Sequence, residues 1–105
     1  MQLDDSELMA MRSNVNEAAE MLKILAHPDR LLVLCQLTQG EVGVAQLQSQ
    51  SNLSQSAFSQ HLTVLRKHQL IKARKSAQQV FYSLADPRVE ALITSFHTIF
   101  CHQEK

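Results

Sequence analysis

Two cysteines offer the most versatile chemistry in the chain, Cys35 and Cys101, and they stand 66 positions apart. A pair so separated meets only through the fold. Two thiols are too few for a disulfide-built scaffold, which leaves two readings of the residues alone. Cys35 is either a small core hydrophobe or half of a redox pair with Cys101. Cys101 also follows His97 by one helical turn and precedes His102, a spacing that allows one metal ion to be shared. An enzymatic use, with Cys101 as nucleophile and His97 as its base, lacks a third orienting group and a substrate pocket, so no catalytic residue is assigned. His27, His61 and His68 share no ligand spacing with one another and a carboxylate, and are expected to be structural or to face DNA.

A second set is polar and small: Ser54, Gln55, Ser56, Ser59, Gln60 and His61, followed by Arg66, Lys67, Lys72, Arg74 and Lys75. Amide and hydroxyl side chains on the first turns of a helix reach base edges in the major groove, while flanking cations hold phosphates. The charge distribution supports this use. The chain has ten basic and ten acidic residues, yet no Asp or Glu occurs from Val42 to Ala85, where the five cations make a local charge of +5. The preceding 41 residues carry −4 and the last 20 carry −1. A basic surface on a neutral protein is the electrostatic footprint of a nucleic-acid binder.

These residues need elements to position them. At 105 residues with 45% hydrophobic content, the chain supports one domain and one core. Two Gly and two Pro leave little loop, so helix should dominate. A first helix starts near Asp4 to Ser6 and runs to about Leu25, with Leu8, Met11, Val15, Ala18, Ala19, Leu22 and Leu25 on one face. Pro28 ends that helix and suits the first turn of the next. The second spans about Pro28 to Thr38 and is apolar nearly all round, with Gly40 as a left-handed cap. Val44 to Gln50 forms a short third helix with Ala45 and Leu47 facing inward, and Ser51-Asn52-Leu53 is a tight turn. Ser54 then caps a fourth helix with Ala57 or Phe58, His61 or Leu62, and Leu65 inward.

After His68 the pattern changes. Leu70 to Lys75 and Gln79 to Leu84 read as a β-hairpin, turning at Ser76-Ala77-Gln78. Asp86-Pro87 opens a fifth helix with Val89, Leu92, Ile93, Phe96, Ile99 and Phe100 on its stripe. The fold is mainly α with a β-hairpin wing, a winged helix-turn-helix. Within a single domain, residues 44–68 form the helix-turn-helix and 70–84 the wing. The wide apolar faces at 1–25 and 86–105 exceed what so small a core covers, which points to dimerisation. The acidic start Met1 to Asp5 is unlike a secretory signal, and no apolar run approaches a membrane span, so a cytoplasmic location and no membrane partner are expected.

Leu53-Ser54-Gln55-Ser56-Ala57-Phe58-Ser59-Gln60-His61-Leu62-Thr63-Val64-Leu65-Arg66, with Leu22 to Leu31 upstream, resembles the ArsR/SmtB family of bacterial repressors over about residues 15–101. The resemblance implies a homodimer, paired through its first and last helices, that releases a palindromic operator when an inducer binds. The family's cysteine site on the third helix is absent, and Arg88 stands where its zinc site on the last helix would want a ligand after Asp86. Cys35 after Leu31-Leu32-Val33-Leu34, Cys101 after Ile99-Phe100, and a glycine-free wing from Lys75 to Tyr82 are similar to the BigR-, SqrR- and HlyU-like branch. That likeness implies a sensor of persulfides and other reactive sulfur, with Cys35 and Cys101 as the sensing pair and no cofactor. Zinc-responsive and constitutive regulation are the alternatives.

Overall fold

The computed structural model describes residues 2–101. Helix α1 (Asp5–Leu25) begins with a capping box, in which Asp4 accepts from the Glu7 amide at 2.8 Å and Glu7 accepts from the Asp4 amide at 3.0 Å. Helix α2 (Pro28–Gln36) is shorter than expected and tightens into a 3₁₀ turn at Leu37–Gln39. Gly40 closes that turn at φ 128° and ψ −166°, a region beyond the left-handed helix that only glycine occupies freely.

A strand follows that the sequence reading lacks. The two-residue β1 (Val42–Gly43) pairs antiparallel with β3 (Gln79–Leu84), which pairs in turn with β2 (Ile71–Ser76), so the wing is a three-stranded sheet of order β1-β3-β2. Helix α3 (Val44–Ser49) buries Leu47 but leaves Ala45 exposed, against expectation, because one helical turn against β3 hides a single side chain. The wing turn holds two residues, Ala77 and Gln78, with Ala77 in the left-handed region at φ 55°.

Helix α4 (Gln55–Lys67) starts where Ser54 Oγ accepts from the Ala57 amide at 3.2 Å. Phe58, Leu62 and Leu65 are its buried side chains. It ends in a Schellman motif: Leu70 N–H donates to Leu65 O and Gln69 N–H to Arg66 O, both at 2.9 Å, with Gln69 left-handed at φ 63°. Leu65 and Leu70 are both buried, which fixes the angle at which α4 hands the chain to the wing. Helix α5 (Pro87–Phe100) is capped by Asp86, which accepts from the Arg88 amide at 2.9 Å.

The core runs from Leu25 through Val33, Leu34, Leu37, Leu47, Phe58, Leu62, Leu65, Leu70, Ile71 and Tyr82 to Val89 and Ile93. Helix α2 is its centre, in contact with α1, α4 and α5. It is less enclosed than its apolar run suggests, for Leu32 lies on an open side. The terminal helices are open to a greater degree. Of α1 only Leu25 is buried, and Leu8, Met11, Val15 and Leu22 are exposed. On α5, Leu92, Ile99 and Phe100 are exposed, the last at 74%.

Candidate functional site

Most of the polar set is exposed along α4 and β2. Ser54, Gln55, Ser56, Ser59 and Gln60 are exposed along the start of α4, opposite the buried Phe58, Leu62 and Leu65. Arg66 and Lys67 occupy the last turn of α4, where their charge complements the helix dipole, and both are exposed. Lys72 and Lys75 are exposed on β2. The Schellman turn joins these two groups, so the polar helix start, the basic helix end and the basic strand belong to one connected unit.

Two members of the expected set behave differently. Arg74 donates from Nε and Nη2 to both carboxylate oxygens of Glu41, each at 2.8 Å, and its guanidinium lies 4.8 Å over the Phe81 ring. The pair holds Glu41 below its ordinary carboxylate range and Arg74 above its own. The carboxylate that neutralises Arg74 comes from just outside the acid-free stretch, brought there by β1. His61 is half-buried. Its Nδ1 accepts from Arg30 Nε at 3.2 Å, and its ring lies 4.2 Å from that of His27. Partial burial lowers its pKa, with help from the neighbouring His27 and Arg30 charges and partial opposition from Asp29.

That neighbourhood overturns the expectation that these histidines share no carboxylate. His27, Asp29 and His61 each offer a ligand atom within 4.8 Å of the others. The cause is tertiary: α2 begins beside the middle of α4. His68 is exposed and takes no part in this cluster.

The two cysteines lie on opposite sides of one packing contact. Cys35 is half-buried on α2, Cys101 is exposed at the end of α5, and both are free thiols. Burial pushes the Cys35 thiol above its ordinary value, and the nearby Cys101 pushes it further. Cys35 lies on α2, which packs against α5, and Cys101 closes the end of α5, so the fold carries thiols 66 positions apart on two helices in mutual contact. His102 lies outside the described residues. At the other end of α5, Asp86 is engaged by Arg88, which donates to it from Nε at 3.2 Å and Nη2 at 2.9 Å and reaches Glu17 on α1 at 2.8 Å. The guanidinium bonds hold Asp86 below the usual carboxylate range. The position where a zinc site would need a second ligand holds a cation already.

The family model described as "Bacterial regulatory protein, arsR family" matches residues 27–73, from the start of α2 through the first part of the wing. The biofilm growth-associated repressor of Xylella fastidiosa is 40% identical over 95 residues, covering 90% of this chain and 83% of that protein. The chain belongs to the arsR family. Another arsR-type relative, the transcriptional activator HlyU of Vibrio cholerae, is 44% identical over 94 residues, covering 90% of this chain and 87% of its own. Solved structures agree in fold. Reduced HlyU from V. cholerae superposes with TM-score 0.83 at 43% identity, covering 89% of this chain and 98% of that one. The repressor BigR from X. fastidiosa gives 0.81 at 38%, covering 90% and 97%. The winged-helix fold and a role in transcriptional regulation through operator DNA follow. The relatives are regulators, not enzymes.

Proposed function

We propose that this arsR-family regulator is a homodimeric repressor that leaves its operator when reactive sulfur species link Cys35 to Cys101. The observation that supports the reading is the packing of α2, which carries Cys35, against α5, whose end carries Cys101. Cys101, exposed, takes up sulfur first: its thiolate attacks a sulfane sulfur of a polysulfide R–Sₙ–R and expels a thiolate, leaving Cys101–Sₘ–R. Cys35 thiolate then attacks this chain and expels its outer fragment, R with the sulfurs beyond the point of attack, as a thiolate or perthiolate. Attack at the Cys101 sulfur leaves a disulfide, and attack farther out leaves a longer bridge. A plain disulfide needs Cα atoms within about 7 Å, so a somewhat wider resting separation favours polysulfide over peroxide as inducer.

DNA contact in this reading falls to Ser54, Gln55, Ser56, Ser59 and Gln60 at base edges and to Arg66, Lys67, Lys72 and Lys75 at phosphates, with His61 and Arg74 held back by their protein partners. A palindromic site requires two copies. The exposed apolar faces of α1 and α5 supply the surface, with a groove of about 410 Å³ between them lined by Ala18, Met21, Leu22 and Leu92.

Release needs differential affinity, and about 3 kcal/mol of coupling weakens DNA binding some 150-fold. The test is fluorescence anisotropy on promoter DNA at fixed salt, with the protein reduced, then treated with polysulfide. The wild type should release. Cys35→Ser and Cys101→Ser should bind as the reduced wild type does and fail to release. A single-cysteine variant that releases normally defeats the two-thiol mechanism.

A further inference from the structure

His27 caps α2, Asp29 lies in its first turn, and His61 projects from the middle of α4. The three side chains are half-buried, and one ligand atom from each lies within 4.8 Å of the other two. We propose that this trio is a binding site for a divalent ion of intermediate softness, of the Zn(II), Co(II) or Ni(II) class. Two imidazole nitrogens and one carboxylate oxygen form a donor set suited to these ions, with a position left for water. Ligands about 2.0 to 2.2 Å from a common ion stand roughly 3 to 4 Å apart, so small side-chain rotations close the site.

The hydrogen bonds show which lone pairs are available. His27 Nδ1 accepts from the Asp29 amide at 3.3 Å and lies 3.7 Å from Asp29 Oδ2, while His61 Nδ1 accepts from Arg30 Nε at 3.2 Å. Both Nδ1 atoms therefore present a lone pair toward a donor rather than carrying a proton. An ion takes the place of those N–H donors. The bond to His27 is long and easily given up. The bond to His61 comes from a cation, so Arg30 competes with the ion twice, for the lone pair and by charge. Arg30 keeps a second anchor, donating from Nη1 to Ile24 O at 3.1 Å, and so has a place to remain when it leaves His61. This site shares no ligand with the cysteines or with the α5 position that Arg88 occupies.

The test uses the full chain carrying Cys35→Ser and Cys101→Ser, without an affinity tag, titrated with Zn(II) against a chromophoric chelator and with Co(II) followed by its visible absorption. One ion per chain is expected. His61→Gln and the near-isosteric Asp29→Asn should each remove it, whereas His97→Gln should leave it unchanged. Arg30→Met should tighten binding by about tenfold or more, since a unit charge within a few ångströms of a dication is costly even in water. Circular dichroism confirms that each variant is folded, and Asp29→Asn carries the test if the His27 cap proves necessary for folding. Absence of an ion overturns the proposal, as does an ion lost with His97→Gln but retained by Asp29→Asn.

Discussion

Removing a cation from the wing should weaken DNA binding in proportion to how freely that cation reaches phosphate, and the wing offers an internal control. Lys75 is exposed on β2 with no carboxylate partner among the described residues, whereas its neighbour Arg74 is locked to Glu41 by two 2.8 Å bonds and to Phe81 by stacking. The Arg74–Glu41 pair has no net charge, so it displaces few counterions. Each phosphate contact contributes about 0.9 to the slope of log affinity against log salt. In a dimer, Lys75→Ala removes two contacts and flattens the slope by about 1.8, so its cost is about 12-fold greater at 50 mM salt than at 200 mM. Arg74→Ala should leave the slope nearly unchanged. Glu41→Gln frees Arg74 and should steepen the slope, approaching the same 1.8 in the opposite sense. Anisotropy titrations at four salt concentrations measure all three, with melting curves to confirm folding. If Arg74→Ala flattens the slope as much as Lys75→Ala does, Arg74 abandons Glu41 on DNA and the accounting is wrong.

Two further outcomes are expected. Leu22, 51% exposed on α1, should lie in the dimer contact; with about 2 kcal/mol per buried leucine and two copies, Leu22→Glu should raise the dimer dissociation constant about a thousandfold, and a variant that still sediments as a dimer at micromolar concentration places the contact elsewhere. Cys35 should react with iodoacetamide more slowly in the folded chain than in urea, with its inflection above the ordinary 9.0, because burial first and Cys101 second favour the neutral thiol. By linkage this thiol's contribution to stability is full below pH 9.0 and declines as pH rises through the raised value; an inflection at or below 9.0 contradicts the burial.

The elements legible in the sequence are those whose signals are local. Asp4 with Glu7, Pro28, Ser54 and Asp86-Pro87 mark four helix starts because capping acts within three residues. The buried stripe Phe58, Leu62 and Leu65 shows the orientation of α4, and hence which polar residues face outward. The unpaired apolar faces of α1 and α5 are legible as an excess over what one core can cover. The two-residue β1 carries no period, and only its register with Phe81 and Tyr82 makes it a strand. Missing it conceals that Glu41 reaches Arg74, so a count of local charge overstates the free cations. The Schellman turn is hidden because Gln69 occupies a position that usually signals itself with glycine. His27 and His61 look unrelated because no spacing rule spans the distance between α2 and α4.

The placement of α2 explains how a bridge at one end of the molecule would reach the DNA face. Cys35 and Arg30 lie on the same nine-residue helix, five positions apart, about 7.5 Å along its axis. Arg30 bonds to His61 on α4, while Cys35 lies near the other end of α2, which packs against the helix that Cys101 closes. A short helix packed on three sides moves as a body rather than bending. Helix shifts of 1–2 Å are the usual scale of such transitions, and the Arg30–His61 contact is already at 3.2 Å. A displacement of α2 toward α5 by that amount breaks the contact and changes how α4 is held, one turn from Ser59 and Gln60. In the proposed release, Cys35 and the Arg30–His61 contact would act from opposite ends of α2, and no contact between sulfur and the DNA-reading helix is needed.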